Sequence, residues 1–176
     1  MTTVPNDLRI QVSAEDLCDA LARLEDLQEE LLELLVTQER ALVEVKPERL
    51  DEIRELEEAL LRKIIEEEKE RLLITEEIGD LLDHDTPPQV RIAEILPHLN
   101  AELASSLSVQ RDALRDVALR LARQNSVNRA LIEHSVGHIQ IFMSRLAAEN
   151  CGENGYGRSG GSEEGDGGPF LMDRRA

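Results

Sequence analysis

Residues 14–45 read AEDLCDALARLEDLQEELLELLVTQERALVEV, and the spacing of their apolar side chains decides the fold. Positions 17, 21, 24, 28, 31, 35, 38, 42 and 45 alternate steps of four and three. They hold Leu17, Leu21, Leu24, Gln28, Leu31, Leu35, Gln38, Leu42 and Val45. That alternation is a heptad seam on one long α-helix, with two polar interruptions. Ser13 with Asp16 resembles a capping box and Val12 with Leu17 a hydrophobic staple, so the helix is predicted to begin near Ala14.

Proline and glycine punctuate the rest. The prolines are Pro5, Pro47, Pro87, Pro88, Pro97 and Pro169, and before residue 151 the only glycines are Gly79 and Gly137. A second helix is predicted from Pro47, a good first-turn residue, to about Leu82. Its stripe is Leu50, Ile53, Leu56, Leu60 and Ile64, resuming at Leu73, Ile74, Ile78 and Leu81. The charged run at 66–71 between them reads as a solvated face, with Glu67 supporting Arg71 one turn on. After a turn at Asp83 to Pro88, Thr86 is placed to cap a short helix over Val90 to Leu96, and Pro97 to open a third long helix reaching about Ala148.

The fold expected is therefore all-α: an antiparallel bundle of three long helices, made of a helical hairpin plus a longer third helix, with a short connecting helix. The organisation expected is a lead-in over 1–13, a helical domain over 14–150 and a flexible, Gly-rich acidic tail over 151–176, where eight of the ten glycines lie. At 1.5 Å per residue the three helices span roughly 48, 54 and 78 Å, so an unbroken third helix overshoots the hairpin by roughly 25 Å, near residues 133–148. That end still carries Ile139, Ile141, Phe142, Met143 and Leu146. An uncovered apolar helix face calls for self-association, a partner helix, or a bend at Gly137.

Composition narrows the function. Lys and Arg total 20 against 37 Asp and Glu, a formal charge of −17, and Phe142, Tyr156 and Phe170 are the only aromatics. Such a chain repels phosphate backbones and anionic lipid, so neither a nucleic acid nor a membrane surface is expected as a partner. Charged residues interrupt every leucine cluster, leaving no run of roughly 20 apolar residues to span a membrane. The N-terminus lacks a basic region followed by an apolar one, so no secretory signal is expected and the cytoplasm is the default. Cys18 and Cys151 lie far apart, which reads as two reduced thiols. His134 and His138 share a helix face, but the glutamate of an HExxH zinc motif is missing and no third ligand is evident. No catalytic constellation, metal or cofactor is expected.

One pattern goes beyond generic helix. Gln124-Asn125-Ser126-Val127-Asn128-Arg129-Ala130-Leu131-Ile132 places two asparagines three apart, followed by an apolar pair; Tyr156-Gly157 and Gly160 follow the helix. A long-helix hairpin, an NxxNxxLL-like stretch and a YGxxG tail, in that order, resemble the FlgN family of flagellar type III export chaperones. The resemblance implies a chaperone without ATPase activity. It would bind the helical C-terminal ends of the hook–filament junction proteins FlgK and FlgL and hand them to the export gate protein FlhA. It also implies that Asn125, Asn128, Leu131 and Ile132 lie in the client surface and that Tyr156, with Gly157 and Gly160, docks to the gate; Ile139 and Phe142 join the expected client surface from the uncovered apolar face of the overhang. From the residues alone, Asn125 and Asn128 read equally well as polar seam residues that set helix register. The acidic surface favours clients with basic flanks. The rival reading is a coiled-coil adaptor that self-associates, as a homodimer for example, through the same heptads.

Overall fold

The computed structural model describes residues 6–153, with side chains as far as residue 148. Two compact units divide the chain, Met1–Ser135 and Val136–Ala176. The helices are α1 (Asn6–Val43), α2 (Pro47–Leu81), α3 (Ile92–Ile95) and α4 (Ala101–Glu153), with 3-10 turns at Pro87–Gln89 and Leu96–His98. No strand occurs among the described residues, and the all-α architecture is the one expected.

In the first unit, side-chain bonds fix the topology. Arg9 pairs with Glu77, Arg23 with Glu67 and Gln38 with Glu57, so partner numbers fall as α1 advances and α2 runs antiparallel to it. Asn100 bonds to Gln11, Gln110 to Glu25, Arg120 to Glu29 and Asn128 to Gln38, so numbers rise together and α4 runs parallel to α1. The best-packed region lies where the connector closes over the bundle. Leu17 and Leu21 of α1, Ile78 of α2, Val90 and Ile95 of the connector and Leu107 of α4 form one buried cluster. Each fully buried Leu or Ile contributes about 1.5–3 kcal/mol.

The seam of α1 packs as its spacing requires from Leu17 to Leu35, with Leu17, Leu21, Leu24, Leu31 and Leu35 buried, but Val45, placed last in it, lies beyond the helix end at Val43 and is 80% exposed. The helix nevertheless starts at Asn6, not near Ala14. Ile10, one heptad before Leu17, is buried and extends the seam backward, and Ser13 is a buried helical residue rather than a cap. At its other end α1 closes with a bond from the Lys46 N–H to the Ala41 carbonyl at 3.1 Å, while Val45 sits at φ 54°. A branched residue in that left-handed region stores backbone strain.

Four other expectations are corrected. Thr86 does not cap the short helix: it precedes the 3-10 turn at Pro87–Gln89, and α3 starts after Arg91, whose N–H donates to Glu94 Oε2 at 2.7 Å. Leu56 and Leu73 were expected in the packed stripe of α2, yet they are 59% and 67% exposed. The residues that pack recur at Ile53, Leu60, Glu67 and Ile74, one heptad apart, with Leu56 and Leu73 off that line. Glu67 does not support Arg71: it accepts a bond from the Arg23 Nε of α1 at 2.8 Å, while Arg71 pairs with Glu68 at 2.7 Å. Part of the charged run therefore occupies the seam and is bridged across it. Pro97 lies in a 3-10 turn, and Asn100 starts α4 instead, its Oδ1 accepting the Leu103 N–H at 2.9 Å.

The connector is held close to α2 at Gly79. A Cβ built there would lie 2.5 Å from both the Cα and the carbonyl oxygen of Pro87, whereas one at Gly137 would meet nothing within 4 Å. Gly79→Ala should therefore destabilise the protein by about 1–3 kcal/mol, because backbone has to shift. Gly137→Ala should stabilise α4 by about 0.5–1 kcal/mol through helix propensity alone. Opposite shifts in the urea midpoint would separate the two glycines.

Candidate functional site

The asparagines of the NxxN stretch have different surroundings. Asn125 is exposed. Asn128 is 1% exposed, and its Nδ2 donates to the Leu35 carbonyl at 2.8 Å and to Gln38 Oε1 at 2.7 Å. Its Oδ1 accepts from Gln124 Nε2 at 3.1 Å. Asn128 thus fills the seam between α1 and α4, and the expectation that it lies open to a client does not hold. The reason is spacing: Gln124, Asn128 and Leu131 continue the steps of three and four that begin with Leu107 and Leu114, whereas Asn125 lies off that line. Leu131 is half-buried and Ile132 exposed.

In the second unit, Val136–Glu153 is helical, Gly137 included. Successive side chains turn by about 100°, which puts Phe142, Leu146, Ile139, Met143 and Val136 on one arc of roughly 120°. Ile139 and Phe142 are each 61% exposed, and Val136, Met143 and Leu146 are exposed too. His138 and Arg145 lie at one edge of this arc and Gln140 and Ser144 beyond the other. Between Glu133 and Glu149 the sequence has no carboxylate at all. The charge of the protein is carried by α1 and α2, so the acidity seen in the composition does not describe this segment.

Such an arc offers apolar surface of the kind that is buried against an amphipathic helix. Among the described residues no group of three or more His, Cys, Asp or Glu side chains could hold a metal, and no helix is long and apolar enough to cross a membrane. Cys18 is a free, half-buried cysteine packed against the core. Burial pushes its thiol above the ordinary range; a hydrogen bond with Ser106 opposes this, and the charges of Asp19 and Glu15 add to it. A thiol so placed is a poor nucleophile at neutral pH. Of the tail expected over 151–176, residues 151–153 continue α4, and Tyr156, Gly157 and Gly160, with everything from 154 onward, lie outside the described residues, as does the side chain of Cys151.

Sequence reasoning missed the cap at Asn100, the close approach at Gly79 and the bridge from Arg23 to Glu67. The glycine carried a signal, since one isolated in a helical pattern asks for a packing reason. The position of Glu67, one heptad beyond Leu60, also marked it as facing α1.

The family model described as FlgN protein matches residues 9–164, most of the chain. No curated protein and no solved structure matches it. With its all-α fold, its NxxN stretch and this match, the chain belongs to the FlgN family, a family of flagellar export chaperones.

Proposed function

We propose that the protein is a cytoplasmic chaperone that receives the helical C-terminal ends of the hook–filament junction proteins FlgK and FlgL, keeps them from assembling early and delivers them to FlhA. The observation that carries this reading is the apolar arc of Val136, Ile139, Phe142, Met143 and Leu146, exposed on a helix of an export-chaperone family. An amphipathic client helix laid on that arc would satisfy it by the helix-in-groove mode, read through anchors at i, i+3, i+4 and i+7. Leu131 and Ile132 belong to the same client-binding proposal, with Asn125 as a polar contact. The role of Asn128 is to hold α4 in place. Because α1 and the first part of α4 use their heptad seams within the first unit, an adaptor that self-associates through those seams is the weaker alternative.

Co-expression with tagged FlgK or FlgL tests the proposal. A stoichiometric complex with either is the expected outcome; failure to capture both, with concentration-dependent oligomers of the chain alone, would support the adaptor instead. The tail carries a separate expectation. Tyr156→Ala should leave affinity for the junction proteins unchanged and weaken binding to the FlhA cytoplasmic domain by about tenfold or more, the loss of one anchoring side chain. Equal FlhA affinity for the two forms would remove Tyr156 from gate docking.

A further inference from the structure

A continuous chain of hydrogen bonds crosses three helices at Asn128. Gln38 Nε2 of α1 donates to Glu57 Oε2 of α2 at 3.4 Å, and Asn128 Nδ2 of α4 donates to Gln38 Oε1 at 2.7 Å. Gln124 Nε2 donates both to Asn128 Oδ1 at 3.1 Å and to Glu39 Oε2 at 2.7 Å. Leucines in the place of Gln38 and Asn128 would serve stability as well, since replacing both partners of a buried polar pair by apolar groups of similar shape is near neutral or stabilising. The polar pair therefore calls for a reason other than stability.

Register supplies that reason. Gln38 and Asn128 are 90 positions apart. The same separation sets Leu17 level with Leu107, Leu24 with Leu114 and Leu31 with Leu121. Slide α4 by one heptad and the leucines still match: Leu17 comes level with Leu114 and Leu24 with Leu121. Within the seam it is the polar layer that is spoiled, because Gln38 then faces Ser135 and Asn128 faces Leu31, while the bonds of Asn100 to Gln11, Gln110 to Glu25 and Arg120 to Glu29 along its edges part as well. In that shifted register Ile132, now exposed, would move in opposite Leu35.

We propose that the Gln38–Asn128 layer is a register lock: it holds α4 on α1 in the single parallel alignment that leaves Ile132 outside the seam. The lock selects one alignment rather than adding stability. Its action resembles that of a lone buried asparagine in a coiled coil, which fixes alignment by making every other one leave a polar group in an apolar layer.

Cross-linking reads the alignment directly. In the full chain with Cys18→Ala and Cys151→Ser, a short bismaleimide should join Glu29→Cys to Arg120→Cys, whose native side chains are bonded. It should not join Glu29→Cys to Val127→Cys, the pair that a one-heptad slide would bring level. Adding Gln38→Leu with Asn128→Leu should leave the protein helical by circular dichroism and let both pairs link at comparable yield. Linking confined to the first pair in that variant overturns the proposal. So does loss of the helical fold, which would make the layer a stability element.

Discussion

Asn128→Ala should lower the unfolding free energy by about 2–4 kcal/mol, while Asn125→Ala, three residues earlier, should change it by less than about 0.5 kcal/mol. Truncation at 128 opens a cavity in a seam where the native side chain is 1% exposed, and it strips Gln38 Oε1 and Gln124 Nε2 of a partner at once. The cost is that of leaving buried polar groups unmade, which exceeds the net worth of the bonds themselves. Asn125 is exposed and has nothing comparable to lose. Urea denaturation of both variants checks this: the midpoint should fall for Asn128→Ala with an unchanged m-value and stay put for Asn125→Ala. Equal small effects would mean that Asn128 has no structural role.

The second large effect has the opposite signature. Ile139→Asp with Phe142→Asp should weaken binding to the junction-protein C-terminal helices by about a hundredfold or more, since two central apolar anchors are lost and a charge is placed against each partner pocket. The same double variant should keep its stability within about 0.5 kcal/mol, because both side chains are already 61% exposed in the free protein. Binding without stability, set beside stability without contact at Asn128, divides the NxxNxxLL region and its continuation into a part that holds and a part that receives. Comparable binding by wild type and the double variant would place the client elsewhere.

Most of the architecture was legible because helical periodicity is redundant. The α1 seam from Leu17 to Leu35 repeats its signal every third or fourth residue, and Pro47 and Pro87 bracket α2. What escaped depended on a second helix. Glu67 reads as a solvated acid until Arg23 arrives from α1 to meet it. Gly79 reads as a weak helical residue until Pro87 lies against it. The helix ends were displaced for local reasons: Ile10 extended the apolar seam past Ser13, and the Asn100 side chain outcompeted Pro97 as the start of α4. At the site the sequence pattern grouped Asn125 and Asn128 as equals, because a motif records spacing and not which face of the helix is covered. Their separation became visible only with Gln38 and Leu35 in place.

The central claim is that the apolar arc ending α4 takes the client helix, and site-specific photo-cross-linking tests it most directly. A photoreactive phenylalanine analogue would replace Phe142 in one protein and Leu73 in another. Leu73 is 67% exposed on α2, so it controls for simple apolar accessibility. Irradiation with FlgK or FlgL is expected to give a one-to-one adduct from position 142 and none from position 73. Capture from position 73 alone, or from neither position while the two proteins still co-purify, would contradict the claim.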